Sequence, residues 1–224
     1  MNDIKSIIDD NNIINKLLKV NSIYDKMKNI STNNSNNIAS LAQNFYFEED
    51  TLSRLQREFN QIKNGIYIGL IFMHLNDFKL LNNNIYEWIF SLIGPNNSPY
   101  SGGKFYLKII FPKDYPKAKP EVIFVTPFYH LNVNPLGGLS EPLGHISTLI
   151  LNWWRPETTI KEVVIDICFF FFMQNPESPY GLERVDLYYK NRQKFNERIK
   201  YFTKKYANPS LPYKEYDTWD FTYP

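Results

Sequence analysis

The stretch that decides the fold runs from Tyr129 to Pro156 and reads YHLNVNPLGGLSEPLGHISTLILNWWRP. It begins with a His-x-Asn motif at His130 and Asn132, passes through glycine-containing turns, and ends at Trp-x-Pro before an apolar run. The chain before this stretch has the patterns of strands, and the chain after it has the patterns of helices.

Composition limits the classes of protein that need to be considered. The chain has 224 residues, of which 43% are hydrophobic, enough for one domain of roughly 150 residues with an extension. Its net charge is +2 with Lys and Arg scattered, which argues against nucleic acid as a partner. A single cysteine excludes an internal disulfide and, without a signal peptide, indicates a cytoplasmic protein. The longest apolar run, Val163 to Met173, is too short to span a membrane.

The N-terminal part divides into an extension and a helix. Residues 1–45 are rich in Asn, Ile and Lys and are interpreted as an N-terminal extension, either partly disordered or a short helix that docks on a partner. Beyond it, Leu52, Leu55, Phe59 and Ile62 recur at helical spacing and predict one apolar helix face.

Strand patterns follow this helix. Short apolar or alternating segments are separated by turns rich in Asn, Gly and Pro, which predicts an antiparallel meander rather than βαβ units. The predicted strands cover 66–75, 86–93, 105–111 and 122–125.

Helix patterns dominate the last third of the chain. Thr159 and Glu162 have the spacing of a capping box, and the run from there through Phe172 is apolar nearly all round, which predicts a central buried helix. Residues 182–189 and 191–206 predict two further helices, and an aromatic tail follows over 208–224.

Several motifs, in order, resemble the ubiquitin-conjugating (UBC) family. That resemblance covers residues 46–207 and implies an α+β UBC fold: a four-stranded antiparallel meander sheet, an N-terminal helix, a central buried helix and two C-terminal helices. The matching segments are YEW with IGP at 86–95, SPYSGGKF at 98–105, FPKDYP at 111–116, HLN at 130–132 and WRP at 154–156.

The chemistry of that family requires a thiolate, because active members carry ubiquitin as a thioester. Their cysteine lies eight residues beyond the motif Asn in a G-x-I-C-L context. In this sequence the spacing leads to Ser140, and the local context fits Ser147 instead. The only thiol, Cys168, lies in the apolar run IDICFFFF, where a cysteine is expected to be an inert small hydrophobe.

Other positions depart from the family pattern as well. His130 and Asn132 are interpreted as vestigial residues that organise the loop, and Leu131 replaces the motif proline. Lys117 stands where active members present a ligase-docking Phe. Together with the missing cysteine, these departures lead to the expectation that the protein is not an enzyme, with no catalytic residue, no metal site and no cofactor.

The tail suggests a narrower resemblance. A Pro-Tyr pair followed by aromatic residues, together with Trp154-Arg155 and the segment HLNVNP, is similar to the Fused Toes (AKT-interacting protein) family. That resemblance implies an adaptor that joins Hook-like coiled-coil proteins and a Hook-interacting helical protein in a dynein cargo complex. Exposed aromatic residues favour association, so the tail is predicted either to bind the partner or to cover the domain's own core. The candidates are Tyr213, Tyr216, Trp219, Phe221 and Tyr223.

Two alternatives to the adaptor remain open from the sequence. One is a ubiquitin-conjugating enzyme variant that binds ubiquitin and assists an active conjugating enzyme. The other is an active conjugating enzyme whose cysteine has been replaced by serine.

Overall fold

The computed structural model describes residues 49–64 and 73–224, with side chains from residue 77 onward in the second range. The predicted extension over 1–45 and the start of the strand expected over 66–75 lie outside these residues. The domain boundaries at 46, 207 and 208 stay predictions. No helix of the described ranges is both long and apolar enough to cross a membrane.

Helix α1 covers Thr51–Lys63 and begins at Asp50, whose side chain accepts the backbone N–H of Ser53 at 3.0 Å. Its buried face contains Leu55, Glu58, Phe59 and Ile62. The prediction that Leu52 belongs to this face is wrong, since Leu52 is 52% exposed. A carboxylate, that of Glu58, is buried on this face instead, because groups from distant segments donate hydrogen bonds to it.

The strands form an antiparallel sheet in the order β1-β2-β3-β4, as the sequence predicted. Between the first two strands, Asn82 and Asn83 adopt positive φ angles of 51° and 57°, which closes a tight turn. Within the described residues the strands are β1 Met73–Leu81, β2 Asn84–Ile93, β3 Lys104–Ile110 and β4 Glu121–Phe124.

Strand β3 shows how the sequence pattern builds the core. Phe105, Leu107 and Ile109 are buried and alternate with partly exposed residues, as expected for a sheet with one covered face. Behind them the core is largely aromatic: the ring of Phe128 stacks on Phe124 at 4.2 Å between centroids.

The second half of the described chain is helical. Helix α2 covers Leu149–Asn152, α3 Ile160–Cys168, α4 Leu182–Lys190 and α5 Arg192–Tyr206. The predicted capping box between Thr159 and Glu162 is confirmed. The central helix is shorter than expected, because the apolar run continues beyond Cys168 as a 3₁₀ turn, Phe169–Phe171. Residues of α3 belong to the hydrophobic core, so the predicted fold class is confirmed.

Candidate functional site

The motif histidine is a buried structural group. His130 is fully buried, and its Nδ1 accepts the backbone N–H of Asn132 at 3.0 Å. This leaves the proton on Nε2, which lies 2.8 Å from the carbonyl oxygen of Met173. Burial lowers the pKa of His130 to about 3. The imidazole is therefore neutral at ordinary pH, with one nitrogen bonded to the motif backbone and the other to Met173.

The side chain of Asn132 points to the segment after the central helix. Its Nδ2 donates to the carbonyl oxygens of Asn175 and Ser178, both at 2.8 Å. Its Oδ1 accepts the backbone N–H of Asn175 at 2.8 Å. A carboxamide has two N–H donors, and both are occupied here. The amide therefore ties two loops together and has no free donor for an oxyanion.

Leu131, at the position of the family's proline, makes a bond that proline could not. Its backbone N–H donates to Oε1 of Gln174 at 2.9 Å, and its carbonyl accepts the N–H of Tyr180 at 2.7 Å. Because proline has no N–H, the leucine allows a second cross-link to the segment that follows the central helix.

Arg184 of helix α4 also binds the motif segment, through its backbone carbonyl oxygens. The sequence analysis did not identify this residue. Its guanidinium donates to the carbonyl oxygens of His130, at 2.7 Å, and Val133, at 3.4 Å, and also to that of Tyr180. The side chain is only 8% exposed, and burial lowers the pKa of the guanidinium. The pattern of an amphipathic helix predicts that an arginine lies on its solvent-exposed face, so no sequence pattern indicated that Arg184 is buried.

The two candidate serines lie in different surroundings. Ser147 follows Ile146, which pairs with Val133 in an isolated β-bridge. The backbone N–H of Ser147 donates to the carbonyl of Asn132 at 3.2 Å, and its Oγ accepts from Nδ2 of Asn152 at 3.3 Å. Ser147 is thus held beside the motif and is partly exposed.

Ser140 lies on a loop that leaves the motif and returns to it. The backbone N–H of Asn134 donates to His145, and that of Gly144 donates back to Asn134, each at 2.9 Å, which closes the loop at its base. Gly137 has a φ of +68°, a conformation that favours glycine. Ser140 is exposed near the far end of this excursion. The structure therefore brings Ser147, and not Ser140, next to Asn132.

The segment after Ser147 is anchored to the central helix. Thr148 caps helix α2 by accepting the N–H of Leu151 at 3.2 Å. The carboxylate of Asp166 on α3 accepts hydrogen bonds from the Thr148 side chain and the backbone of Ile150, and burial raises its pKa. These contacts fix the backbone that leads away from Ser147.

Cys168 lies at the end of helix α3 and is 4% exposed. Burial, and to a smaller degree the charge of Asp166, raise the pKa of its thiol to about 12. A thiol in this state is neither ionised nor accessible at neutral pH. The described residues contain no cluster of three or more His, Cys, Asp or Glu side chains that could hold a metal ion.

The aromatic tail is folded back on the domain. Trp219 is 8% exposed, and a Cβ at Gly144 would lie 3.1 Å from its ring. The ring of Phe221 packs on Phe202 at 4.8 Å. The remaining candidates also meet domain rings: Tyr213 meets Tyr106, Tyr216 meets Tyr206, and Tyr223 meets Tyr201. These contacts show that the tail packs on the domain, and partner binding by its aromatic residues stays a prediction.

Comparisons with known proteins agree with this architecture. A family model described as ubiquitin-conjugating enzyme matches residues 54–203. The chain is 36% identical over 127 residues to the probable ubiquitin-conjugating enzyme E2 31 of Arabidopsis thaliana, covering 57% of this chain and 79% of that protein.

Solved structures give the same result. One, assigned as a ubiquitin conjugating enzyme of Plasmodium yoelii, has a TM-score of 0.59 at 30% identity and covers 72% of this chain and 97% of its own. The ubiquitin conjugating enzyme E2 domain of Toxoplasma gondii has a TM-score of 0.58 at 28% identity, covering 69% and 97%.

These matches correct the expectation that the protein is not an enzyme. That expectation is wrong, because the matched family and the relatives are ubiquitin-conjugating enzymes. It rested on serine at the two candidate cysteine positions and on the departures at Leu131 and Lys117. The match instead spans the sheet, the motif segment and both final helices, and a hydroxyl, like a thiol, can form an acyl link.

Proposed function

Since the chain belongs to the ubiquitin-conjugating enzyme family, we propose that it takes part in ubiquitin transfer, with the hydroxyl of Ser147 as the group that accepts ubiquitin. The observation that carries this proposal is the hydrogen bond from the Ser147 backbone to Asn132, next to the bridge between Val133 and Ile146. It supports Ser147 as the residue at the acceptor position.

The reaction is an acyl exchange. The Ser147 oxygen attacks the thioester carbonyl of ubiquitin on the activating enzyme, a C–O bond forms and the C–S bond breaks. The serine proton ends on the departing thiolate. No His or carboxylate of the described residues is hydrogen-bonded to Ser147 Oγ, and an alcohol ionises less readily than a thiol. We therefore expect slow loading and an ester that persists.

A charging assay tests this proposal. The protein is incubated with activating enzyme, ATP and ubiquitin, and the products are separated with and without thiol reductant. The expected product resists the reductant, is cleaved by mild alkali, is lost in Ser147→Ala and is retained in the matched control Ser140→Ala. Ser147→Cys should give a product that the reductant cleaves. Absence of any adduct, or an adduct that persists in Ser147→Ala, would contradict the proposal.

A second candidate function is that of a protein-binding adaptor, as in Fused Toes-type complexes with Hook-like and Hook-interacting proteins. It is favoured by the tail, where Tyr213 and Tyr216 keep part of their surface exposed although they pack on the domain. Half-exposed tyrosines supply apolar area and a polar tip to a partner. Assistance to an active conjugating enzyme, with ubiquitin bound non-covalently, is a variant of this role. The cytoplasmic location stays a prediction in either case.

The adaptor function is tested with purified components. Tyr213→Ala with Tyr216→Ala should reduce binding of a Hook-type coiled-coil segment about tenfold or more while the protein still unfolds in one cooperative transition. Tyr189→Ala, an exposed tyrosine on helix α4, is the control. Unchanged binding in the double variant would contradict a tail interface. Binding of ubiquitin or of an active conjugating enzyme instead would identify the assisting variant.

A further inference from the structure

Helix α5 carries much more positive charge than the rest of the chain. Six of its residues are basic and one, Glu197, is acidic, although the net charge of the whole chain is only +2. The basic residues are Arg192, Lys194, Arg198, Lys200, Lys204 and Lys205. Charge concentrated on one helix of a nearly neutral chain indicates an electrostatic role.

Part of this charge is used inside the molecule. Arg192 lies 3.9 Å over the ring of Tyr188, and Lys205 pairs with Asp220 of the tail at 2.9 Å. Lys200 and Lys204 have no ion pair among the described residues. Glu197, the acid nearest to them on the helix, accepts a hydrogen bond from Gln193 at 3.0 Å.

Both lysines line one groove, which we call the lysine groove. It lies between the loop 98–102 and the end of α5 and has a volume of about 480 Å³. This volume falls in the range of about 300–1,000 Å³ that ligand sites occupy. Among the described residues no Asp or Glu lines it, and its walls include Pro99, Gly102, Lys200, Lys204, Ala207 and Pro209.

Two residues that line the lysine groove, Thr203 and Ala207, are held by contacts with the chain at Gly103 and Lys104. The backbone N–H of Lys104 on strand β3 donates to the carbonyl of Ala207 at 2.7 Å. Gly103 packs so closely on Thr203 that a Cβ would lie 2.7 Å from its methyl carbon. A preformed groove binds with a smaller ordering cost than a mobile surface.

Charge and shape together select the occupant. Lys200 and Lys204 stand four residues apart on one helix face, where like charges repel, and an anion between them relieves that repulsion. Pro99, Ala207 and Pro209 form apolar wall that a small inorganic anion would leave uncovered. An extended peptide can cover this wall and place carboxylates at the ammonium groups.

We propose that the lysine groove binds an acidic peptide segment of a partner protein, with its carboxylates at Lys200 and Lys204 and its backbone along Pro99, Ala207 and Pro209. This site is separate from the Ser147 segment and does not depend on ubiquitin transfer. It gives the protein a second surface, selective for negatively charged chain segments.

The test uses a fluorescein-labelled hexapeptide of alternating glutamate and proline, with a matched peptide of glutamine and proline. Fluorescence anisotropy on the full chain should show binding of the glutamate peptide that weakens as salt is raised. Lys200→Glu with Lys204→Glu should weaken it roughly tenfold or more. The matched control is Lys194→Glu, an exposed lysine on the same helix outside the groove.

Several outcomes would overturn the proposal. Equal binding of the glutamine peptide, or an equal loss in Lys194→Glu, would show that no defined acidic site exists. Competition by inorganic phosphate at low concentration, or tight binding to phosphatidylserine vesicles without peptide binding, would assign the lysines to another anion. A lower melting temperature in Lys204→Glu with unchanged peptide binding would mean that this lysine only offsets the negative end of the helix dipole.

Discussion

Glu58 and Arg184 are both buried charges, but the protein stabilises them in different ways. Glu58 is 2% exposed and accepts from Arg54, from the hydroxyl of Tyr115 at 2.8 Å and from the backbone N–H of Ile160 at 2.7 Å. It therefore has an opposite charge and the positive end of helix α3 beside it.

Arg184 has no carboxylate within salt-bridge distance among the described residues, and backbone carbonyl oxygens surround it instead. The ring of Tyr129 lies 5.8 Å away. The comparison shows that a buried charge needs oriented dipoles and need not have an ion pair. It also shows that the motif loop, which contains Ser147's neighbours, depends on one side chain of α4.

The largest effect is expected from removing Arg184. Arg184→Ala leaves the buried carbonyls of His130 and Val133 without their donor, so we expect a loss of roughly 3–5 kcal/mol in the free energy of unfolding. Urea denaturation measures this. Arg192→Ala, an exposed arginine at the start of α5, should cost less than about 1 kcal/mol. Equal effects of the two variants would contradict the role given to Arg184.

A smaller effect is expected at the other buried charge. Glu58→Ala should cost roughly 2–4 kcal/mol, because Arg54 keeps its bond to the carbonyl of Thr158 and part of its surface in water. Glu58→Gln keeps an acceptor and should cost less. If Glu58→Ala lowered the free energy of unfolding more than Arg184→Ala in the same urea series, the backbone carbonyls around Arg184 would contribute less to stability than the ion pair of Glu58.

The pH dependence of the free energy of unfolding should come mainly from His130, whose carbonyl oxygen accepts a hydrogen bond from Arg184. The pKa of His130 is lowered from 6.5 to about 3, first by burial, so the unfolded chain binds more protons between these values. The free energy of unfolding therefore rises with pH in this window and decreases as the pH falls, by about 1.6 kcal/mol between pH 6.5 and pH 5.

His130→Gln provides the control for this window, because its amide can replace both ring hydrogen bonds without titrating. Urea denaturation at pH 5 and pH 6.5 should show a smaller difference in the variant than in the parent. Identical differences would mean that other groups, such as His145, whose pKa is also lowered by burial, account for the slope.

The smallest effect is expected from removing the N-terminal cap of helix α3, the helix whose first residue donates to Glu58. Thr159→Ala removes the cap of α3, where Thr159 Oγ1 accepts the N–H of Glu162 at 3.4 Å, and should cost about 1 kcal/mol. Thermal unfolding with Thr218→Ala, an exposed tail residue, as control measures it. A cost near zero would mean that Glu58 alone satisfies the start of α3.

Local signals allowed much of the fold to be predicted from the sequence. The capping box and the turn at Asn82 depend on residues a few positions apart, and the meander follows from strand patterns between short turns. The order of the family motifs along the chain predicted how these elements are arranged. These features could be recognised because each one is complete within a short segment.

The buried charges and the choice of serine could not be predicted in this way. Glu58 binds Ile160 across 102 positions and Arg184 binds His130 across 54, so no local pattern marks either side chain. The sequence left Ser140 and Ser147 open, and the bridge between Val133 and Ile146, which supports the proposal for Ser147, joins segments that no local pattern links. Leu52 was misassigned because helical spacing alone does not show how far round the helix the rest of the chain covers it.

The thiol of Cys168 lets the protein report its own opening equilibrium. The chain has one cysteine, which is 4% exposed with a pKa of about 12, so a thiol reagent can label it only when helix α3 leaves the core. Where reclosing is faster than labelling, the labelling rate relative to that of the unfolded chain gives the opening equilibrium directly. Mass spectrometry of the single labelled species can thus follow the rare open state under native conditions, without an introduced probe.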